Sequence, residues 1–536
     1  MNNNKSNRLW EVLSAPFGKL FPLFILIFLL STWSEGQFAL MQSDFRMFLT
    51  VLAHGVVFSY LLTFLIGLIR RKGIRRAVAI LAIFLLGVVF YTDMVCLFEF
   101  HSDFSADFIA ILLGTDPSES SEFIGLHFWG FLKAFLLLVL FLVIYFLMER
   151  MRLRFGRKWL WHPMLAVIGC AALLAMKPVA AGRVIKEKSV EGKIYAFCHY
   201  IREIPPDYAD YVKPANLEVV AGQPENIVII FGESHCRSHC SFYGYDKETM
   251  PHMRALLDSG YVTVFDNVTS PGINTLESFK SMMSTYKPEY GDKIKFYTCQ
   301  TVPQVVREAG YRSSWISNQS PTGLFNNIIA NFAALCDTSV FIGDKFKGNM
   351  MSNLDEELLP VAREIVEDNP ATRQFYVFHL MGSHPNFEDR YPEEYAQFTA
   401  DDYSDRIPSQ RPVYANYDNS ILYTDHIVSE IIDQFRDQEA VVIYLSDHAL
   451  DFFFTRDDYF SHALASIPES VGPASEVPFL IYTTEKYRDA FPEICERMRE
   501  KTNVAYRTDD LIYTIMDLAG VRFKDASEVN GESILQ

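Results

Sequence analysis

Three short polar clusters have residue types that could carry out chemistry, and each follows an apolar run. In chain order they are Gly232-Glu233-Ser234, the segment from His379 to His384, and Ser446-Asp447-His448 with His462 shortly after it. Carboxylates and imidazoles are the oxygen and nitrogen ligands that zinc takes in proteins. The clusters therefore predict a zinc site, provided that the fold brings them together.

Each cluster also has an ordinary structural explanation. An Asp after a strand often caps the next helix, and a Glu at that position often lies in the first helical turn. A single Asp-His pair such as Asp447-His448 would not by itself indicate a metal. The recurrence of such clusters after three separate apolar runs favours a shared site.

The elements that must position these clusters begin at Asn226. Short apolar runs predict strands at Asn226 to Phe231, Tyr311 to Ser317, Phe375 to His379, Ala440 to Leu445 and Phe479 to Tyr482. Amphipathic segments predict helices at Thr301 to Ala309, Asn353 to Asp368, Tyr417 to Gln434 and Thr508 to Leu518. This alternation predicts an α/β domain with a mostly parallel central sheet, in which polar residues meet at the carboxyl ends of the strands.

The first third of the chain predicts a membrane domain. Five apolar segments approach the roughly 20 residues that a helix needs to cross a bilayer. They lie near Leu20 to Trp33, Phe48 to Ile69, Ala77 to Phe98, Phe128 to Leu147 and Trp159 to Ala175. We expect residues 1–177 to form a five-helix transmembrane domain, 178–222 a connector that could lie at the membrane surface, and 223–536 the catalytic domain.

Charged residues in the loops predict the orientation. Basic residues of short loops remain in the cytoplasm, and two loops are strongly basic. They carry Arg70, Arg71, Lys72, Arg75 and Arg76 after the second span, and Arg150, Arg152, Arg154, Arg157 and Lys158 after the fourth. With five spans and a cytoplasmic N-terminus, the catalytic domain would lie in the periplasm.

Length and charge limit the classes of function. The 536 residues exceed what one ordinary core needs, so we expect at least two domains. The formal net charge of −17 argues against a nucleic-acid-binding protein, which needs a basic surface. We therefore expect no nucleic-acid partner.

A run of histidines and cysteines follows the first cluster. His235, Cys236, His239 and Cys240 could suggest a second zinc site. On a helix, the two histidines would share one face and the two cysteines the neighbouring face, about 100° away. Four such side chains cannot readily bind one metal, so we assign this run no role.

Several motifs in this order carry a resemblance over essentially the full length. GESHCRSHCSFYGYDKETMP, which starts at Gly232, is similar to a GE[ST]AR...H.S..GY.R.T.P motif. Further matches are FHLMGSHPNF, RYP at Arg390 to Pro392, YDNSILYTDHIVSEII at Tyr417 to Ile432, and SDH at Ser446 to His448. The chain resembles the membrane-anchored phosphoethanolamine transferases of Gram-negative envelopes, in the alkaline phosphatase/sulfatase superfamily.

The resemblance implies a set of site residues. Glu233, Asp447 and His448 match the family's metal ligands, and Thr275, within SPGINTLESFKSMMS, matches its nucleophile, which also contacts the metal. His384 and His462 match histidines that bind the phosphate or a second zinc. One zinc would be tightly bound, with a second possible during turnover. Local propensity alone would interpret Thr275 as a helix N-cap and would not favour it over Ser270.

The resemblance also implies a reaction in two steps. A zinc-activated Thr275 would attack the phosphorus of phosphatidylethanolamine, release diacylglycerol and retain phosphoethanolamine. An oxygen of a lipopolysaccharide sugar, a lipid A phosphate or another envelope glycan would then accept the group. Thr115 and Glu119 match loop residues that hold the lipid headgroup, although an acidic solvated loop is the alternative. We expect a monomeric protein of the bacterial inner membrane.

Rival functions fall into three classes. A sulfatase would need a Cys or Ser in a C/S-x-P-x-R context, and the segment that starts at Thr275 has neither the Pro nor the Arg. A phosphoglycerol transferase of the lipoteichoic acid synthase type shares the five spans, the fold and the threonine nucleophile, so it is the main alternative. A membrane scaffold with a degenerate domain is the non-enzymatic alternative.

Overall fold

The structure of the protein is a computed structural model that describes most of the chain. The described residues are 20–102, 104, 108, 117–150, 189–203, 215–321, 328–342, 354–367, 373–462, 468–525 and 529–536. The chain divides into a helical unit, formed by Met1–Ala110 and Phe123–Glu203, and a sheet unit, formed by Ile111–Glu122 and Ile204–Gln536. The N-terminal helices and a mostly parallel sheet agree with the predicted fold class.

In the part of the chain that the structure describes, six α-helices precede the sheet. They are α1 (Phe21–Met41), α2 (Phe45–Leu68), α3 (Lys72–Val95), α4 (Pro117–Leu126), α5 (Phe128–Arg150) and α6 (Val190–Glu203). Among the described residues, four segments are long and apolar enough to cross a membrane: α1, α2, α5, and α3 with the π-helical turn that extends it to Phe100. These four coincide with the first four predicted spans, and the fifth, Trp159 to Ala175, lies outside the described residues.

A buried ion cluster holds α6 against the apolar helices of the helical unit. Lys193 of α6 donates to Glu35 of α1 and, at 2.5 Å, to Oδ1 of Asp93 of α3. Asp93 also accepts a hydrogen bond of 3.2 Å from Ser34. All three charged side chains are almost completely buried. Because charges are costly to bury without partners, this cluster attaches the short amphipathic α6 firmly to α1 and α3.

The sheet unit is built on seven strands. They are β1 (Asn226–Gly232), β2 (Val262–Val264), β3 (Arg312–Ser317), β4 (Thr338–Phe341), β5 (Gln374–His379), β6 (Ala440–Ser446) and β7 (Phe479–Thr483). Their order is β2-β7-β6-β1-β5-β3-β4. The five strands from β6 to β4 are parallel, whereas β7 is antiparallel to both of its neighbours. The central strands are buried along their whole length, which explains their continuous apolar sequences.

Helices cover this sheet on both faces, as a parallel sheet requires. Those with described backbone are α7 (Pro251–Asp258), α8 (Thr275–Met282), α9 (Val302–Glu308), α10 (Ile328–Ala334), α11 (Leu358–Glu367), α12 (Arg411–Asp433), α13 (Pro468–Ser475), α14 (Glu485–Ala490), α15 (Pro492–Glu500) and α16 (Leu511–Leu518). The longest, α12, buries Tyr417, Ile421 and Ile431 against the core. It begins six residues before the predicted start at Tyr417.

The register of the central strands sets the positions of the three polar clusters. In the parallel pairs around β1, Gly232 lies opposite Ser446 of β6, and Phe231 lies opposite His379 of β5. Glu233 and Asp447 therefore leave neighbouring strands at the same level. The cluster that begins at His379 starts at that level on the other side of β1.

Two local details of the backbone differ from what the local sequence pattern alone suggests. The segment from His235 to Cys240 is not an α-helix but contains a short 3-10 turn at Arg237–His239, because Ser234 adopts a left-handed backbone (φ 57°) that ends regular structure. The N-cap of α8 is Asn274, whose side chain accepts from the Glu277 amide at 3.0 Å, so Thr275 is the first helical residue.

Replacement of Lys193 tests the buried ion cluster. Lys193→Met would leave two carboxylates buried without their cation, so we expect a loss of about 3 kcal/mol or more in stability. The measurement is the thermal unfolding midpoint of the full chain in detergent. Lys133→Met, at an exposed lysine of α5, is the matched control. An unfolding midpoint equal to that of the control would contradict the structural role of Lys193.

Candidate active site

Glu233 follows the last residue of β1 and is almost fully buried. Its Oε1 accepts a hydrogen bond of 2.7 Å from Ser234, and its Oε2 accepts one of 3.1 Å from the side-chain amide of Gln319. On the other side, Gly382 packs so closely that a Cβ there would lie 2.8 Å from the Glu233 amide nitrogen. Hydrogen bonds from Ser234 and Gln319 thus fix the carboxylate of Glu233, and the turn at Gly382 packs against its backbone.

Asp447 and His448 follow β6 and are completely buried. Asp447 Oδ1 accepts from the backbone amides of Ser234 (3.3 Å) and His448 (2.8 Å). His448 Nδ1–H donates to the carbonyl of Ala449 at 2.9 Å. This bond places the free lone pair on Nε2, an arrangement that is typical of histidines that bind metals.

Thr275 is the first residue of α8, and its hydroxyl lies beside Glu233 and His448. Its Oγ1 lies 3.2 Å from Glu233 Oε2 and 3.3 Å from His448 Nε2. The side chain is partly exposed, in contrast to the acidic groups behind it. A hydroxyl in the first turn of a helix also faces free backbone amides, which stabilise negative charge on the oxygen.

Two further histidines, His384 and His462, lie next to the site formed by Glu233, Thr275 and His448. The ring of His462 lies 4.8 Å from that of His448 and 6.5 Å from that of His384, measured between centroids. Nδ1 of His384 is buried and has no hydrogen-bond partner among the described residues. The histidine at the other end of the second cluster, His379, packs edge-on against Phe279 in the core, where it supports α8.

The ligand atoms of Glu233, His448 and His462 lie within 4.8 Å of one another. His448 Nε2 is also 3.5 Å from Oδ2 of Asp447, an atom that has no hydrogen-bond partner in the described part of the chain. A buried carboxylate oxygen without a partner is costly, and a cation would satisfy it. The oxygen and nitrogen donors therefore fit a zinc ion.

The electrostatics of the site also favour a bound cation. Burial acts to raise the pKa of Glu233, but its hydrogen bond to His448 and the charge of His448 keep this pKa well below its usual range. Burial and the neighbouring Glu233 raise the pKa of Asp447. Burial lowers the pKa of His448, whereas Asp447 and Glu233 more than compensate and raise it to about 9. The carboxylates thus raise the affinity of His448 Nε2 for a proton, and the same negative charge would attract a metal ion to the point where the ligand atoms converge.

His384 and His462 differ from His448 in charge. Burial lowers the pKa of His384 to about 4 and that of His462 to about 3. Both are therefore neutral at neutral pH, with one nitrogen able to donate and the other able to accept a hydrogen bond. Such histidines can bind a metal or contact a phosphoryl oxygen.

Two residues that support the site were not recognised from the sequence. Gln319 donates to Glu233, as described above. Asp355 accepts from the amides of Met381 (2.8 Å) and Gly382 (2.9 Å) and so shapes the turn before His384. Gln319 lies just after β3, so a polar residue at a fourth strand end could have indicated it as part of the site. No local sequence pattern distinguishes Asp355.

The run of histidines and cysteines forms part of the core. His235 contacts Tyr444 OH (2.7 Å) and the Sγ of Cys240 (3.1 Å), while His239 contacts Asp418 (2.6 Å). The four side chains therefore bind several different partners. Cys236 and Cys240 are buried thiols that form no disulfide.

The predicted headgroup residues remain predictions. Thr115 lies outside the described residues. Glu119 is part of α4, but its side chain is not among those described.

Sequence comparisons identify relatives over most of the chain. The family model described as Sulfatase matches residues 225–521, more than half of the chain. Phosphoethanolamine transferase EptC of Escherichia coli is 25% identical over 460 residues, which are 79% of this chain and 76% of that protein. Phosphoethanolamine transferase CptA of Salmonella typhimurium is 26% identical over 476 residues, which are 82% and 80% of the two chains.

Solved structures extend the similarity to the fold. The periplasmic domain of E. coli EptC, solved in complex with zinc, covers 60% of this chain and 90% of its own, with 26% identity and a TM-score of 0.53. The integral membrane lipooligosaccharide phosphoethanolamine transferase A of Neisseria meningitidis covers 94% of this chain and 96% of its own, with 18% identity and a TM-score of 0.67. The resemblance stated from the motifs is thereby confirmed, and the chain belongs to the sulfatase family, within the alkaline phosphatase/sulfatase superfamily.

Proposed function

We propose that this protein transfers phosphoethanolamine from phosphatidylethanolamine to a lipid A phosphate or core sugar of lipopolysaccharide, through a covalent intermediate on Thr275. The observation that carries the proposal is the Thr275 hydroxyl at a helix start, within 3.3 Å of both Glu233 and His448. The relatives named above, which are phosphoethanolamine transferases, support the group transferred. The setting is the inner membrane, with the sheet unit in the periplasm and the N-terminus in the cytoplasm.

Glu233, Asp447, His448 and Thr275 would hold one zinc ion, with His462 or His384 available for a second. Zinc bound there would supply positive charge that favours the deprotonated threonine and stabilises charge on the phosphoryl oxygens. The chain's own contribution is orientation, since the hydrogen bonds from Gln319 and Ser234 fix the Glu233 carboxylate. The Ala449 carbonyl similarly fixes the His448 ring.

The proposed transfer has two steps. Thr275 Oγ1 forms a bond to phosphorus while the bond to the diacylglycerol oxygen breaks, and that oxygen leaves with a proton. An acceptor oxygen then forms the new bond to phosphorus, and Thr275 recovers its proton. The neutral His384 and His462 contact the phosphoryl oxygens or transfer protons to and from the leaving and entering groups.

Replacement of His448 tests the metal ligands. We expect His448→Ala to lower the zinc content per chain by about tenfold or more, because the variant loses a fixed nitrogen ligand. Zinc is measured by elemental mass spectrometry on the purified full chain. His252→Ala is the matched control, since His252 is half-exposed and bonds to Asp425. Unchanged zinc in His448→Ala would contradict the ligand set, and wild-type protein without zinc would favour the scaffold alternative.

Replacement of Thr275 tests the nucleophile. After incubation with phosphatidylethanolamine, intact-protein mass spectrometry should detect a phosphoethanolamine adduct on the wild type and none on Thr275→Ala. We expect Thr275→Ala to lose about a thousandfold or more of the transfer rate while it keeps its zinc and its fold. Ser270→Ala is the discriminating control. An adduct that persists in Thr275→Ala and disappears in Ser270→Ala would reassign the nucleophile.

The transferred group and the acceptor are tested in cells. We expect lipid A or core sugars of cells that carry the gene to gain the mass of phosphoethanolamine, and cells without it to lack this product. A profile of lipid A, core sugars and other envelope glycans by mass spectrometry makes the comparison, with a Thr275→Ala strain as control. A gain of phosphoglycerol instead would support the lipoteichoic acid synthase alternative.

A further inference from the structure

Tyr417 links the helix α12 to the turn that follows Glu233. Its ring is completely buried, and its hydroxyl donates a hydrogen bond of 2.7 Å to the carbonyl of Ser234 and accepts one of 2.8 Å from the backbone amide of Cys236. Within the described ranges, Tyr417 is the only hydrogen-bond partner of that carbonyl and that amide. Two buried backbone groups of the turn therefore depend on one phenol.

Ser234 in turn ties together the two carboxylates of the candidate metal site. Its backbone amide donates to Asp447 Oδ1 at 3.3 Å, and its hydroxyl donates to Glu233 Oε1 at 2.7 Å. The residue has a left-handed backbone (φ 57°), which a residue with a side chain rarely adopts and which the surrounding contacts must hold. The hydrogen bonds of Tyr417 to this turn are among those contacts.

Ser234 leaves the other oxygen of each carboxylate at the site. Oδ2 of Asp447 has no hydrogen-bond partner among the residues that the structure describes, and Oε2 of Glu233 lies 3.2 Å from the hydroxyl of Thr275. Because one oxygen of each carboxylate is held, the directions of both groups are fixed before a metal binds. Ligands that are already in place lose less conformational entropy on binding, so they bind a metal more tightly.

The ring of Tyr417 is itself held in place by aromatic neighbours. Its centroid lies 4.5 Å from that of Phe452 and 4.9 Å from those of Phe387 and His239. This packing restricts the ring, and its backbone belongs to the longest helix of the sheet unit. The hydroxyl therefore has a fixed position, which a residue that orients other residues requires.

We propose that Ser234 and Tyr417 are positioning residues that set the zinc affinity of the active site. Ser234 holds the carboxylates of Glu233 and Asp447 in place for the metal, and Tyr417 holds Ser234. Neither side chain would bind the metal itself. This inference rests on the proposed function for the identity of the metal. It also gives a role to Tyr417, the first residue of a motif to which the proposed chemistry assigns none.

The test measures the zinc affinity of the purified full chain in detergent, by competition with a chromophoric chelator. We expect Tyr417→Phe to weaken zinc binding about tenfold or more, because contacts that orient metal ligands commonly have effects of this size on affinity. Ser234→Ala should have a similar effect, since it removes the hydrogen bond to Glu233. The double variant should bind zinc within about twofold of the weaker single variant, because both changes act through the same turn.

Tyr311→Phe is the matched control. Tyr311 is also buried, and its hydroxyl donates to the carbonyl of Pro224 at 3.0 Å, just before β1 begins. This variant leaves a buried carbonyl unpaired at the end of β1 that is opposite to Ser234, so it should lower the unfolding midpoint and keep wild-type zinc affinity. The thermal unfolding midpoint of each variant, measured with zinc and with chelator, identifies those that are folded. Ser234→Ala keeps the test decisive if Tyr417→Phe does not fold.

The outcomes separate this inference from the proposed function. Folded Tyr417→Phe or Ser234→Ala with wild-type zinc affinity would overturn the inference. An equal loss of affinity in Tyr311→Phe would also overturn it, because a general loosening of β1 would then be the cause. Additive losses in the double variant would contradict the path from Tyr417 through Ser234. A wild type that binds zinc through this turn but transfers nothing would support the inference and contradict the proposed function.

Discussion

The burial of Glu233 and Asp447 beside each other is the constraint on which the active site depends. Two carboxylates without water repel each other, and their burial is stable only when positive charge lies between them. His448 Nε2 lies 3.3 Å from Glu233 and 3.5 Å from Asp447, so a cation bound to that nitrogen would lie close to both carboxylates. A divalent cation would balance the site more completely and would bring Thr275 into the same arrangement.

The sheet holds these two carboxylates close together because its central strands are buried and rigid. Glu233 and Asp447 follow the adjacent parallel strands β1 and β6 at the same level. The turn at Gly382, which follows β5, packs against Glu233. Gly382 has a φ of 52°, which glycine adopts without strain. Close packing of this kind fixes the side chains at their positions and keeps water from relaxing the charges.

The helical unit uses buried charge in two ways. Lys193 with Glu35 and Asp93 forms a closed cluster that attaches a short amphipathic helix to the apolar helices. Glu99 and His127 form an incomplete pair, since one buried nitrogen acceptor remains unused by the described residues. Charged groups among apolar helices are costly unless they are paired, which the Lys193 cluster achieves.

The sequence by itself determined the strands and helices of the centre, because continuous apolar runs and helical periodicity are local properties. The short edge strands Val262–Val264 and Thr338–Phe341 had no such pattern, and neither had the 3-10 turn at Arg237–His239. Motifs indicated Glu233, Asp447 and His448 as a set. Only the tertiary structure decided that these groups and Thr275 lie within hydrogen-bonding distance, and that Gln319 and Asp355 support them. Strand register joins residues more than 200 positions apart in the chain, and no local pattern encodes such a distance.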